Sequence, residues 1–155
     1  MKKPLTYINK VCMAALLMLT AACELHTSNN GDLDGLWQLT QMDTLSTGRS
    51  ADMKSTRIFW AVQADLLEMK DLSTDQTYIP IFFRFRHQGD TLVLSEPIAD
   101  LRYITPESPD SIITSPATLH FYGIRQLRDT LHVLRLDSEK LTLQSRHYRL
   151  YFRKY

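Results

Sequence analysis

Ile79-Pro80-Ile81-Phe82-Phe83-Arg84-Phe85-Arg86-His87-Gln88-Gly89-Asp90-Thr91-Leu92-Val93-Leu94-Ser95 is the stretch that decides the fold. Ile81, Phe83 and Phe85 fall on one face of an extended chain, and Phe82, Arg84 and Arg86 fall on the other. That period of two belongs to a strand buried on one side. Gln88-Gly89-Asp90 supplies a turn, and Thr91 to Ser95 returns as the second arm of a hairpin. Pro80 sits at the start of the strand, where a missing amide donor is tolerated.

The same rhythm extends in both directions. Upstream, Gly35 to Met42 alternates, with Trp37 and Leu39 on one face. Thr56 to Val62 is rich in β-branched and aromatic residues, and Leu66 to Lys70 follows after a tight connection. Downstream, Thr130 to Leu136, Lys140 to Ser145 and Tyr148 to Lys154 are three more strands, with Asp137-Ser138-Glu139 as a turn. Little in the sequence demands a helix. About eight sequential strands with short turns predict an all-β antiparallel up-and-down meander. Closing it into a barrel removes edges that invite aggregation. An eight-stranded barrel is just wide enough for packed side chains or one small ligand.

Glu96 to Ala117 breaks the rhythm with Pro97, Pro106, Pro109 and Pro116. Loops of this length are uncommon in compact domains and are often functional. Two readings stand: a lid over a barrel mouth, or a surface excursion with short strands around Leu101 to Ile104 and Ser111 to Thr114. The second is the commoner arrangement.

The first two dozen residues carry an address. Lys2 and Lys3 precede an apolar run from Val11 to Ala22 that stops at Cys23. A charged start, a short apolar run and small residues before a cut make a secretory signal. The run is too short to span a bilayer, which needs about 20 apolar residues. Leu19-Thr20-Ala21-Ala22-Cys23 resembles a bacterial lipobox, although Thr20 holds a place usually taken by Leu, Val or Ile. The resemblance implies cleavage before Cys23 and its acylation, palmitate included; the other reading is an ordinary cleaved signal peptide. The organisation expected is a signal peptide over 1–22, a lipidated Cys23 and polar tether over 23–34, and one barrel domain over 35–155.

Cleavage leaves 133 residues, enough for one domain with a real core. It removes Cys12, so the domain can hold no internal disulfide and no cysteine-based metal site or nucleophile. It also removes Lys2, Lys3 and Lys10, so 18 basic residues become 15 against 17 acidic ones, about −2 net. That balance argues against nucleic-acid binding, which needs a concentrated positive surface.

Catalysis finds little support. The chain has no Gly-x-Ser-x-Gly elbow and no Gly-rich phosphate loop. His26, His87, His120, His132 and His147 show no metal-ligand spacing; His120 and His132 can meet only if their strands are neighbours. Asp65, Glu68 and Asp71 fall where a solvated face or turn is expected. Neither an enzyme, nor a metal, nor a cofactor is expected. The basic, aromatic ending, Arg146, His147, Arg149, Arg153 and Lys154 among Tyr148, Tyr151 and Phe152, is either a charged solvent face or a contact surface for lipid headgroups, anionic glycans or nucleic acid.

Four features carry a family resemblance: Gly35-Leu36-Trp37; Leu119-His120-Phe121-Tyr122-Gly123-Ile124; Leu131-His132-Val133-Leu134-Arg135-Leu136-Asp137-Ser138; and Arg149-Leu150-Tyr151-Phe152-Arg153-Lys154-Tyr155. Over roughly Asp34 to Tyr155 the chain resembles the small lipocalin-like lipoproteins of Bacteroidetes envelopes. It lacks the disulfides and clear C-terminal helix of many lipocalins. The resemblance implies that Trp37 plugs the closed end of the barrel, with Arg149 or Arg153 of the last strand packed over it.

It also implies a small hydrophobic ligand, such as a fatty acid, sterol or isoprenoid, held among inward residues. The candidates are Phe59, Ile81, Phe83, Phe85, Leu92, Leu94, Phe121, Leu143 and Phe152, with Leu141 and Leu150 on the same faces. Two functions are therefore carried forward: a tethered, monomeric ligand-binding barrel, or an accessory subunit with a solid core that contacts an envelope partner. The lipid anchor points to the outer membrane. With only Glu24 acidic before Asp32, the periplasmic face is favoured.

Overall fold

In a computed structural model, the described residues are 28–75, 78–103 and 105–155. Cys23, the signal segment 1–22 and the first part of the tether lie outside them, as do His26 and Ile104.

Ten strands form one antiparallel sheet. They are β1 (Gly35–Thr44), β2 (Arg49–Asp52), β3 (Ile58–Gln63), β4 (Leu66–Asp71), β5 (Ile81–Gln88), β6 (Thr91–Ala99), β7 (Ser111–Ile112), β8 (Asp129–Leu136), β9 (Lys140–Gln144) and β10 (Tyr148–Lys154). Eight of them close a barrel in the order β1-β3-β4-β5-β6-β8-β9-β10, with β10 returning to β1. β2 pairs with the second half of β1 and β7 with the end of β6, both outside the closed ring. The eight barrel strands are those expected from the sequence.

Register follows from pattern and turn chemistry. Ile81, Phe83, Phe85, Leu92 and Leu94 all face a single core. The β5–β6 turn places Gly89 at φ +59, a conformation that glycine adopts at little cost. At the β8–β9 turn the Asp137 carboxylate accepts from the backbone N–H of Glu139 and Lys140, at 2.9 and 2.8 Å, and from Arg135 Nε at 2.7 Å. Those bonds hold its pKa down at about 2. At the β9–β10 turn Ser145 Oγ accepts from the N–H of His147 and Tyr148.

Three expectations need correction. β6 does not stop at Ser95. The β5–β6 register shifts between Phe82 and Arg84, and Glu96 takes φ +54, so a bulge absorbs Pro97 and the strand runs on to Ala99. Leu101–Tyr103 is a 3-10 turn rather than a strand, whereas Ser111–Ile112 does pair. Finally, Pro116–Tyr122 is a 3-10 helix. Ser115 caps it, accepting from Ala117 N–H, and Pro116 needs no donor in the first turn. Gly123 ends it at φ +86, donating to His120 O. The Tyr-Gly-Ile corner is therefore a helix C-cap.

Candidate functional site

The barrel has two distinct ends. At the first, β1 begins opposite the end of β3 and the end of β10, and Trp37 faces Lys154 directly in register. Trp37 is fully buried and its indole Nε1 donates to Leu33 O at 2.7 Å. Lys154 reaches across: its Nζ lies 4.9 Å from the Trp37 ring centroid and donates to Asp32 O at 2.8 Å. Gly35, at φ +128, lets it pass, since a Cβ there would come within 2.8 Å of Lys154 Cε.

The capping cation is thus Lys154, correcting the expected Arg149 or Arg153. Arg153 is one residue away, and on a strand one residue is the other face. Its Nε donates outward to Gln38 Oε1 at 2.8 Å. Arg149 lies further along, opposite Asp43, and donates to Gln144 Oε1.

At the second end the 3-10 helix Pro116–Tyr122 lies over the barrel opening. Leu119, Tyr122 and the following Ile124 are fully buried in the core. Tyr122 Oη donates to Ile79 O at 2.9 Å. Gly123 packs so closely that a Cβ would fall 2.8 Å from Leu150 Cδ2. Beside this helix a pocket of about 330 Å³ remains, bounded by Tyr78, Ile81, Ala99, Ile113, Phe121 and Tyr122. Tyr78 and Phe121 form its aromatic wall, stacked at 3.4 Å between centroids and 18° between planes. Its lining offers apolar surface and few polar groups, so it suits hydrophobic ligands and not ionic chemistry.

The predicted lining residues divide between these places. Ile81 and Phe121 border the pocket. Phe83, Phe85, Leu92, Leu94 and Leu143 pack into the core, as does Phe152, whose ring lies 4.8 Å from that of Trp60. Phe59 points outward, opposite Gln38 and Lys70 in register, and is covered edge-on by Tyr155 at 5.3 Å. Trp60, its neighbour, takes the inward place. Tyr78, Ile113 and Tyr122 also line the pocket, and the strand pattern gives no signal for them. The cluster of prolines between Glu96 and Ala117 is the sequence signal that pointed to this region.

Titratable groups are engaged elsewhere. His120 sits on the 3-10 helix, not on a strand, with burial and then the nearby Arg125 lowering its pKa. His132 lies on β8 opposite Thr91 and Gln144. Asp65 pairs with Arg84 at 2.6 Å and Glu68 with Lys70 at 2.7 Å, while Asp71 is buried and accepts from Ser73 N–H. Among the described residues no group of three His, Cys, Asp or Glu is arranged to hold a metal.

Two solved structures share the fold. A lipocalin-like protein from Bacteroides uniformis is 21% identical, with a TM-score of 0.58 over 81% of this chain and 100% of that one. An uncharacterized protein from Bacteroides eggerthii is 19% identical, with a TM-score of 0.57 over 79% of this chain and 98% of that one. No curated protein matches the chain with significance. Residues 17–155 match the Lipocalin-like domain family, and the chain belongs to it.

Proposed function

We propose that this chain is a non-enzymatic envelope lipoprotein that binds a small hydrophobic molecule at the mouth of its barrel. The lipocalin-like fold is consistent with a small-ligand-binding barrel. The observation that carries the reading to this chain is the apolar pocket beside the stacked Tyr78 and Phe121. Its 330 Å³ sits at the lower end of the roughly 300–1,000 Å³ range of ligand sites. That size fits a compact apolar molecule or the end of a longer chain. Acylation of Cys23 anchors the monomer to the outer membrane, on its periplasmic face.

The test is native mass spectrometry of the full-length chain, expressed in its own membrane and extracted in mild detergent. A stoichiometric apolar adduct, beyond the acyl groups on Cys23, is the expected result, and Phe121→Ala loses it. A mass with no adduct, and no uptake of added fatty acid or sterol, overturns the pocket reading. Separately, Cys23→Ser abolishes palmitate incorporation and releases the protein from the membrane. Label retained by that variant sinks the anchor. Protease added to whole cells should leave the periplasmic form intact.

A further inference from the structure

The outer face of the barrel carries a second concavity, remote from the mouth and chemically unlike it. It is a groove of about 750 Å³ bounded by β1, β2, β8, β9 and β10. Its shape follows from the sheet. The β1–β10 register shifts between Leu39 and Gln41, and from Gln41 onward β1 exchanges β3 for β2 as its neighbour. β2 thereby stands outside the ring, beside the half of β1 that still pairs with β10, and lines one side of the groove, with residues of β8, β9 and β10 on the other.

The charges on that other side are unusual. Lys140 stands directly opposite Arg153 in register, and like charges so placed repel. Neither forms an ion pair among the described residues. Arg153 instead leans on the neutral amide of Gln38. Arg135 lies one row away, opposite Thr142, with its Nε held by Asp137. Lys54 adds a fourth cation at the rim beside Asp52, at 3.8 Å. Of the other acids nearby, Asp43 is occupied by Ser50, Gln41 and the Tyr151 hydroxyl, and Glu139, directly before Lys140, forms no ion pair among the described residues. The whole chain carries a net charge of only +1, so two adjacent unpaired cations are a local feature and not a spill-over of a basic protein.

We propose that this groove binds an anionic saccharide, its carboxylate or phosphate seated between Lys140 and Arg153. Both cations make charge-assisted hydrogen bonds to such a group, and its charge removes their mutual repulsion. Thr142, between the cationic positions, offers a hydroxyl to sugar oxygens, and Tyr151 and Gln41 also line the groove. The occupant is polar because charged, hydroxyl and amide side chains, Lys54, Arg135, Lys140, Arg153, Thr142 and Gln41, stand around the groove. This accounts for part of the basic, aromatic ending: Tyr151 and Arg153 serve the groove, Lys154 serves Trp37, and Arg149 braces Gln144.

Two sources share this chemistry, a free acidic oligosaccharide and the phosphorylated sugar headgroup of a glycolipid. The test titrates the full-length protein in detergent with a galacturonic acid hexamer, with a neutral maltohexaose, and with phosphatidylethanolamine vesicles with and without lipopolysaccharide. Binding to the acidic hexamer or to the lipopolysaccharide vesicles, weakening with added salt and absent for the neutral sugar, is expected. The arm that binds identifies the source. Lys140→Gln with Arg153→Gln lowers affinity about tenfold or more. Arg86→Gln with Arg128→Gln makes the same change in net charge elsewhere and leaves affinity unchanged. Binding to neither ligand, equal binding of maltohexaose, or an equal loss in both double variants overturns the proposal. Phe121→Ala, which tests the mouth, leaves this titration unaltered, so the two readings fail independently.

Discussion

The two ends of the barrel are closed by different means. At the Trp37 end the plug is part of the wall: Leu33, Gly35 and Trp37 lie within five residues, and Lys154 reaches them from the adjacent strand. At the mouth the closure is a separate piece, the 3-10 helix Pro116–Tyr122, delivered by the long excursion after β6. A plug built into the strands is itself shut away from solvent, with Trp37 at 0% exposure. A plug brought from elsewhere has to fit a rim that it did not shape, and beside it 330 Å³ stays open. Under the proposed function, binding falls at the end whose plug comes from elsewhere and rigidity at the end whose plug is part of the wall.

Removing the built-in plug gives the largest expected effect. Trp37→Ala should cost about 3–5 kcal/mol, the range for deleting a fully buried large aromatic ring. Urea unfolding followed by far-UV circular dichroism measures it. A loss below about 1 kcal/mol would mean that the two ends are equally soft.

A smaller effect discriminates between the two glycines that let each plug fit. Gly123→Ala puts a methyl 2.8 Å from Leu150 Cδ2 and 3.1 Å from its Cδ1, on a backbone at φ +86. Leu150 is fully buried and has nowhere to move. Overpacking and the left-handed backbone together should cost about 2–4 kcal/mol. Gly35→Ala meets only the flexible end of Lys154, so its cost is chiefly that of φ +128, about 1–3 kcal/mol. Thermal unfolding of both variants should rank Gly123→Ala below Gly35→Ala. The reverse order would place the tighter packing at the Trp37 end alone.

The contrast between the ends also governs what sequence could reveal. All eight barrel strands are legible in the sequence: where a strand buries one face, period-two alternation writes that burial into the chain, as in Ile81, Phe83 and Phe85, while β3 reads as a strand from its β-branched and aromatic residues. That Trp37 plugs one end is not written in the alternation; it follows from the resemblance that Gly35-Leu36-Trp37 carries. The resemblance implies an arginine of the last strand, Arg149 or Arg153, as its partner; only the β1–β10 register, Trp37 opposite Lys154 and Gln38 opposite Arg153, shows that the inward cation is Lys154. Phe59 was placed inward because Ile58, Phe59 and Trp60 are all apolar and the alternation is silent there. The mouth was least legible. A seven-residue 3-10 helix is too short to show a helical period, and its burial depends on contacts such as Tyr122 to Ile79, 43 residues apart. Likewise the groove arises from strand exchange between β2 and β3, which no local pattern encodes.

The smallest effect concerns a buried carboxyl at the start of β8, toward the mouth. Asp129 is 4% exposed, its Oδ1 accepts from Thr130 N–H at 2.9 Å, and its Oδ2 has no hydrogen-bond partner among the described residues. Burial raises its pKa, opposed in part by backbone N–H groups of Thr130 and Arg125 and by the charge of His147. With the folded pKa above the unfolded one, the folded chain holds the proton more tightly. The associated stability is present in full below the ordinary carboxylate value, near 3.8, and is lost as pH rises through the raised folded value. Above that raised value the folded state carries a desolvated charge, which Asp129→Asn removes while keeping an oxygen for Thr130. The variant should be more stable than the parent at pH 7, by about 1 kcal/mol or less, with the gain shrinking toward zero below pH 4. Melting temperatures of both proteins from pH 3.5 to 7.5 measure this difference. A variant less stable at pH 7 would instead show that the Asp129 charge helps hold the mouth together through His147 and the N–H groups around it, making that end better braced than its open pocket suggests.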